Sequence, residues 1–218
     1  MKKTSPKPPA AVTTPVRPQH EDVWSRSQTI NGFATDEIRS VLQKSIRRGL
    51  VEEATLAAYE FYVTGPETEE LLWRRLEIIA TEDVGFGMID APVLLEALNA
   101  QRQRIPHNID RWIYTAHAIR VLCTAKKDRT STELAVWAHT VVSRGERIVE
   151  VEDYHVDYHT RRGILLGRGP DHWRDAGGGK LENQIEGRDT RFDDYLKKIR
   201  EADEKKKSKA AKKPAKKA

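Results

Sequence analysis

The fold of this chain is decided by residues 38–85, which read IRSVLQKSIRRGLVEEATLAAYEFYVTGPETEELLWRRLEIIATEDVG. Apolar side chains recur here at intervals of three and four residues, the spacing that places them on one face of an α-helix. Gly49 and the Gly65-Pro66 pair interrupt this pattern, and glycine and proline are the residues that end helices. The stretch therefore predicts three consecutive helices, over residues 35–48, 51–63 and 67–81.

The same pattern continues beyond this stretch. Asp90 with Pro92 is typical of a helix N-terminus, and Thr130 with Glu133 has the spacing of a capping box. Three further helices are thus predicted, over about residues 90–98, 109–125 and 130–143. The apolar residues expected to face the core include Leu56, Ile78 and Ile113. The expected fold is all-α, a compact array of about six helices.

The chain divides by composition into four parts. Residues 1–21 contain five prolines and few large apolar side chains, which predicts a disordered tail. Residues 22–150 are expected to form the helical domain, and residues 151–204 a glycine- and arginine-rich irregular extension that ends in a charged helix. Residues 205–218 are rich in lysine and alanine, and we expect a second disordered tail there.

The net charge of +5 is distributed unevenly along the chain. Residues 205–218 carry +8 from eight lysines, and residues 1–20 carry +4. Because Glu21 contributes −1, residues 22–204 carry −6. The basic character therefore belongs to the two ends, and the predicted helical domain is acidic, which would oppose binding of a nucleic-acid duplex to its surface.

Composition also narrows the class of protein. No run of 18 or more apolar residues occurs, and no apolar segment follows the lysines at the N-terminus, which predicts neither a membrane span nor a secretory signal. The single cysteine, Cys123, lies in an apolar helical pattern and is expected to be a buried, inert thiol. One cysteine fits a reducing compartment, and we expect a cytoplasmic protein, with association with the nucleoid as a further option.

Three short motifs carry a family resemblance: QKSIR at residues 43–47, RRL at 74–76 and ATEDVG at 80–85. Together they resemble the C-terminal domain of the AAA+ replication-associated recombination ATPases of the MgsA/RarA type, over about residues 33–145. The residues that match the family's pattern are Lys44, Ser45, Arg47, Arg75, Glu82, Asp83 and Gly85. The resemblance implies a helical, clamp-loader-collar-like fold that joins subunits, usually as tetramers.

The ATPase module of that family is expected to be absent. A phosphate-binding loop needs two glycines separated by four residues, followed by lysine and a hydroxyl residue. The sole candidate, Gly178-Gly179-Lys180, has Arg174 and Leu181 at the positions that should hold glycine and the hydroxyl residue. We therefore expect no cofactor and no ATPase chemistry, and the resemblance implies an assembly role.

Glu82 and Asp83 form a carboxylate pair at the predicted end of the third helix. Two adjacent carboxylates can perform acid–base chemistry, yet the glycines that follow them favour a structural role. We expect the pair to cap the following loop and to form salt bridges with Arg74, Arg75 or Lys44.

The densest group of potential metal ligands lies between Glu150 and His159. His155 and His159 are four residues apart and would share one face of a helix, the arrangement of a zinc-binding helix. A catalytic zinc helix usually reads HExxH, whereas residues 155–159 read HVDYH, with no obvious third ligand except nearby acids. Ordinary hydrogen-bonded surface histidines are the simpler interpretation, and metal binding remains an alternative.

Residues 159–173 are the most distinctive local sequence, because arginines there alternate with glycines. Glycines allow close approach of the backbone and arginines suit phosphate or carboxylate, so a contact with an anion or a partner is one hypothesis. The other is an arm whose tryptophan packs and whose arginines pair with acids. The candidate residues are Arg161, Arg162, Arg168, His172 and Trp173.

The C-terminal lysine tail is similar to the tails of linker histones and some bacterial nucleoid proteins. Flexible cations release counterions from DNA and give salt-sensitive affinity that does not depend on base sequence. The tail is therefore a candidate DNA contact, and solubilisation is the alternative. Its lysines are Lys205, Lys206, Lys207, Lys209, Lys212, Lys213, Lys216 and Lys217.

These observations favour a non-catalytic oligomerisation or adaptor domain linked to DNA replication, recombination or repair, with nonspecific DNA contact through the tail. The expected partners are further copies of the chain, as a tetramer if the family pattern holds, and DNA. Two alternatives stay open: a partner subunit of a separately encoded ATPase, or a small metal-dependent hydrolase that uses His155 and His159.

Overall fold

A computed structural model describes residues 23–178 and 181–211. All regular structure in them is helical, apart from one isolated antiparallel bridge between Gln28 and Ala34, so the predicted all-α class is confirmed. The chain forms two compact units that divide between Ile148 and Val149. The predicted N-terminal tail, residues 1–21, lies outside the described residues, as do Gly179 and Lys180.

The described residues contain nine α-helices; the sequence predicted about six and a charged terminal helix, and the two additional ones are short helices within the glycine-rich extension. The first unit holds α1 (Thr35–Arg48), α2 (Val51–Thr64), α3 (Pro66–Ile79), α4 (Ala91–Arg102), α5 (Ile109–Thr124) and α6 (Thr130–Ser143). It also holds a 3-10 helix at Val23–Arg26, a π-helical turn at Ala80–Val84 and a 3-10 helix at Gly85–Met88. The second unit holds α7 (Arg161–Leu165), α8 (Pro170–His172), a π-helical turn at Trp173–Gly177 and α9 (Arg191–Ala211).

Helix α2 lies at the centre of the first unit, where it packs against α1, α3 and α5. Its buried residues are mostly small: Ala54, Ala57 and Ala58 together with Phe61. Alanines let neighbouring helices approach closely, while each large apolar side chain buried around them contributes about 1.5–3 kcal/mol. The larger core residues on the surrounding helices are Leu42, Ile46, Leu72, Trp73, Leu76, Ile79, Leu95, Ile119 and Leu122.

Gly49 makes the sharp connection between α1 and α2. It adopts a left-handed conformation with φ of 72°, and its N–H donates to the carbonyl oxygen of Ile46 at 3.0 Å. A β-carbon here would lie 3.3 Å from the carbonyl oxygen of Cys123, so both the conformation and the space favour glycine. The predicted end of the first helix at Gly49 follows from this local requirement.

Three predicted core residues, Leu56, Ile78 and Ile113, are exposed. Periodicity shows that a helix has an apolar face, but neighbouring helices decide which arc of the helix is covered. On α3, Trp73 is fully buried although it was not among the predicted core residues, whereas Ile78 is exposed. These three assignments were therefore wrong, and the error lies in the choice of the buried arc.

A buried ion-pair network joins α3 to α4 and α5. Glu69 is 1% exposed, and its carboxylate lies 3.0 Å from Nη1 of Arg102 and 2.8 Å from Nη2 of Arg111. Arg102 is fully buried, its guanidinium lies 5.2 Å from the ring centre of Trp73, and it also pairs with Glu70 at 2.6 Å. Charged groups at this depth are stable only when they are paired, so the network fixes the relative positions of the three helices.

The second unit begins in irregular structure around buried Val156 and Gly163 and ends in α9. The sequence predicts that this helix ends at residue 204, yet α9 continues to Ala211. Lysine and alanine are strong helix formers, and the first proline of the tail comes only at residue 214. Of the helices in the described parts of the chain, none is both long and apolar enough to cross a bilayer.

We predict that Glu69→Gln lowers the free energy of unfolding by about 3 kcal/mol, because Arg102 and Arg111 would lose their buried counter-charge. The matched control is Glu70→Gln, which also removes a partner of Arg102 but at a side chain that is 44% exposed. It should cost less than about 1 kcal/mol. Urea unfolding followed by circular dichroism measures both, and equal losses would contradict the prediction.

Candidate interaction surface

Asp83 lies at the end of α3, in the π-helical turn formed by the ATEDV residues. Its side chain is fully buried, and Nε of Arg47 donates to its carboxylate at 2.6 Å. Gln43 Nε2 donates to the same carboxylate at 2.9 Å. The hydrogen bond with Asp83 raises the pKa of Arg47 above its ordinary value. Gln43 and Arg47 are four residues apart, so both reach the same point from one face of α1.

Glu82 and Arg129 extend this group to the loop that precedes α6. Arg129 Nε lies 3.3 Å from the Asp83 carboxylate, and Arg129 Nη2 lies 3.4 Å from that of Glu82. Gln43 Nε2 donates to Glu82 at 3.0 Å. We call Gln43, Arg47, Glu82, Asp83 and Arg129 the Asp83 cluster. It joins α1, the end of α3 and the start of α6 in one hydrogen-bonded group.

The carboxylate pair has two partners that the sequence did not predict. Arg47 and Arg129 pair with the two acids, and the sequence had offered Arg74, Arg75 or Lys44. Arg75 Nη1 donates to Gln43 Oε1 at 3.4 Å, and Lys44 is exposed on α1. Of the other motif residues, Ser45 is buried on α1. Arg129 was missed because it is distant in sequence and lies outside any motif.

Close backbone contacts hold the loop of residues 126–129 beside the cluster. The N–H of Asp128 donates to the carbonyl oxygens of Asp83 at 3.0 Å and Val84 at 3.2 Å. A β-carbon on Gly85, whose φ is 49°, would lie 2.4 Å from the carbonyl oxygen of Asp128. A β-carbon on Gly87 would lie 2.2 Å from that of Lys126. The two glycines therefore allow the loop to approach the end of α3.

Cys123 lies just before this loop and is buried, as the sequence predicted. Burial raises the pKa of its thiol to about 11. A thiol with this pKa is almost entirely protonated at neutral pH, and the protonated form is not the nucleophile. Cys123 is therefore part of the core.

Helix α6 follows the loop and begins at Thr130. The predicted capping box of Thr130 and Glu133 does not form, because Asp128 accepts hydrogen bonds from both the N–H and the hydroxyl of Thr130, at 2.9 and 2.5 Å. The hydroxyl of Thr132 donates to the carbonyl oxygen of Glu82 at 3.2 Å. The first turn of α6 is thus attached to the π-helical turn by polar contacts.

The remainder of α6 exposes apolar side chains. None of its residues is buried, although the helix reads TSTELAVWAHTVVS. The exposed fractions are 62% for Leu134, 60% for Val136, 46% for Trp137 and 56% for Val142. Several large apolar side chains exposed on one helix, Leu134 and Trp137 on the same side of it, are typical of an interface with another molecule.

In the second unit, the side chain of Arg168 forms hydrogen bonds with residues of its own segment. Its guanidinium donates to the carbonyl oxygen of Asp153 at 2.8 Å and also contacts the Asp153 carboxylate and the carbonyl oxygen of Val156. The hydrogen bond from Arg168 lowers the pKa of Asp153. His172 Nε2 lies 3.7 Å from the same carboxylate. Arg168 therefore holds Asp153 and Val156 of its own segment, a pairing with an acid of the kind that the alternative hypothesis of a packing arm describes.

Arg161, Arg162 and Trp173, the other candidates for an anion or partner contact, do not form one site with Arg168. Arg161 and Arg162 are exposed on α7. Trp173 packs on the backbone, since a β-carbon on Gly178 would lie 2.1 Å from its ring. The ring also meets His159 edge to face, with centres 6.0 Å apart.

The two histidines proposed as metal ligands make separate local contacts. His155 Nδ1 accepts the N–H of Glu152 at 2.9 Å, and His159 Nδ1 lies 3.1 Å from the Asp157 carboxylate. Residues 153–155 form a 3-10 turn, so the shared helical face required for a metal site is not built. Across residues 23–178 and 181–211, no three histidine, cysteine or acidic side chains gather as a metal site.

Of the tail lysines, only the first two have described side chains. Lys205 and Lys206 are exposed on α9, and the backbone of Lys207 and Lys209 is helical. Lys212, Lys213, Lys216 and Lys217 lie outside the described residues.

The chain matches no protein-family model, and no curated protein matches it either.

We predict that Gly87→Ala destabilises the first unit by about 1–3 kcal/mol, because the new β-carbon would meet the backbone of Lys126. The control is Gly169→Ala, where nothing lies within 4 Å of the β-carbon and φ is negative. Thermal unfolding followed by circular dichroism measures both variants. A Gly87→Ala protein as stable as the control would show that the loop does not lie against Gly87.

Proposed function

We propose that this chain is a cytoplasmic, non-catalytic assembly domain whose helix α6 binds another copy of the chain. The observation that carries the proposal is the exposure of α6, which presents Leu134 and Trp137 to solvent and buries none of its residues. An isolated helix of 14 residues is marginal in water, and helices of this length are usually stabilised by packing of an apolar face. A partner that covers this face would supply that packing.

The Asp83 cluster supports the same role. Three of the residues that match the family's pattern, Arg47, Glu82 and Asp83, help to hold helices together in this cluster. The cluster fixes the base of α6 and leaves its sides uncovered. A rigidly held helix can present an interface at little cost in conformational entropy on binding.

We further propose a link to DNA replication, recombination or repair, as the resemblance to the MgsA/RarA-type ATPases implies. The C-terminal lysines would supply nonspecific DNA contact, and exposed Lys205 and Lys206 on α9 support this. Residues 22–204 carry −6, so attraction to phosphates would depend on the tail. In this arrangement α6 joins subunits, and assembly multiplies the number of tails that can reach one duplex.

We predict that the native chain is oligomeric and that Trp137→Asp weakens the oligomer at least about 100-fold, because buried aromatic residues dominate interface energies. Light scattering coupled to size-exclusion chromatography, over a range of concentrations, measures the mass of each. The control is Leu56→Asp, an equally drastic change at a side chain that is 70% exposed on α2.

The control should keep the native mass. A monomeric native protein at high micromolar concentration would overturn the proposal of self-assembly. If that monomer co-purifies with an ATPase from its own cells and the Trp137→Asp variant does not, the result would point to the alternative of a partner subunit.

The DNA contact is tested by removing residues 205–218. We predict that the deletion abolishes most duplex binding at low salt, because it removes eight of the cations that would displace counterions. Fluorescence anisotropy with two duplexes of unrelated sequence measures the affinity. A matched control replaces the eight lysines by arginine and should retain binding. Undiminished binding by the deletion variant would place the contact elsewhere in the chain.

A further inference from the structure

The apolar positions on one side of helix α6 are spaced symmetrically about the centre of the helix. Leu134, Trp137, Ala138 and Val141 follow each other at intervals of three, one and three residues. This spacing places them on one stripe of the helix, and it reads the same in both directions. A stripe that is symmetric about its centre can match a second copy of itself related by a two-fold axis.

We propose that α6 pairs with α6 of a second copy in antiparallel orientation, about a two-fold axis between positions 137 and 138. This pairing rests on the proposed assembly role of α6. In this register Leu134 lies opposite Val141 of the second copy, and Trp137 lies beside Trp137 of the second copy, close to the axis. The pair is isologous, so each contact occurs twice.

Trp137 and Ala138 are about 100° apart on the helix and so lie on opposite sides of the midline of the stripe. An antiparallel two-fold axis between them brings the two Trp137 rings together on one flank and the two Ala138 side chains together on the other. Contacts between aromatic rings stabilise beyond the area that they bury. A parallel pair would instead place Trp137 beside Ala138 of the second copy.

The charges at the two ends of α6 favour the same orientation. Glu133 lies in the first turn, whereas Arg144 follows the last residue. They are 11 residues apart, about three turns, and so lie on the same flank of the helix. An antiparallel two-fold axis brings equal flanks together, which places Glu133 beside Arg144 of the second copy. The two helix dipoles also oppose each other in this orientation.

The contacts that Arg144 and Arg147 make within one copy do not prevent the pairing of two α6 helices. Arg144 pairs with Glu146 at 2.6 Å, but both side chains are largely exposed, and such surface pairs contribute little. The guanidinium of Arg147 lies 5.6 Å from the ring centre of Trp137, so it can stay on that ring at the rim of the pair.

The size of the interface sets its strength. A helix of 14 residues is about 21 Å long, and one pair of such helices buries less than the area of a standard stable interface. We therefore expect a reversible dimer with a dissociation constant in the micromolar range, not an obligate one.

Disulfide trapping tests the orientation in the full chain with Cys123→Ala, whose mass and circular dichroism must first match those of the native protein. Leu134→Cys and Val141→Cys are prepared as separate proteins, mixed and oxidised mildly. We expect disulfide-linked dimers from the mixture at least about tenfold faster than from either protein alone. Ala138→Cys alone should also cross-link, because it lies at the axis, and Val136→Cys, on the opposite side of α6, should not.

Exchange of the charges provides a second measurement. We expect Glu133→Arg and Arg144→Glu each to weaken the dimer by up to about fivefold, and the double variant to restore the native affinity. A parallel pair would give self-linked Leu134→Cys dimers and no gain on mixing, which would overturn this inference while the assembly role stands. An oligomer that none of the α6 cysteines can link would also overturn it, whereas a monomeric native protein would overturn the assembly role itself.

Discussion

The buried carboxylate of Asp83 is the constraint on which the first unit depends. An ionised group without access to water is stable only if the protein supplies opposite charge and hydrogen-bond donors. Here Arg47 and Gln43 come from α1 and Arg129 comes from the loop before α6. Because each must reach the same carboxylate, the three elements can occupy only a narrow range of relative positions.

The contacts that hold α6 in place involve its first turn, whereas its exposed apolar side chains lie further along the helix. Polar contacts from Thr132 and Arg129 fix the first turn of α6, and they need no apolar surface. The apolar side chains of the helix, Leu134 and Trp137 among them, are therefore exposed, and in the proposed assembly a second copy would cover them. An ordinary surface helix does the reverse and turns its apolar face toward its own core. The polar interior contact and the apolar exposed face together are what assembly through α6 requires.

In the second unit, side chains that the sequence offered as metal ligands or anion contacts instead form hydrogen bonds with an irregular backbone. Arg168 donates to two carbonyl oxygens, and His155 accepts a backbone N–H. Glycine-rich segments have few apolar side chains with which to form a core, so polar groups must satisfy the backbone. Arginine, with five donors, suits this task as well as it suits a phosphate. Residue type alone therefore did not distinguish a ligand site from a structural one.

The sequence by itself determined the helix ends that depend on a local glycine or proline signal, such as those at Gly49 and Pro66, whereas the end of α9 and the cap of α6 differ from the prediction. Gly49 needs a left-handed conformation and Pro66 occupies the first residue of α3, whatever lies around them. It also predicted the burial of Cys123. The tertiary structure alone decided which partners Asp83 and Glu69 bind, since Arg47 and Arg111 are 36 and 42 residues away from them. It also decided that α6 is exposed: periodicity shows that a helix has an apolar face, and only the packing of the other helices decides whether that face is covered.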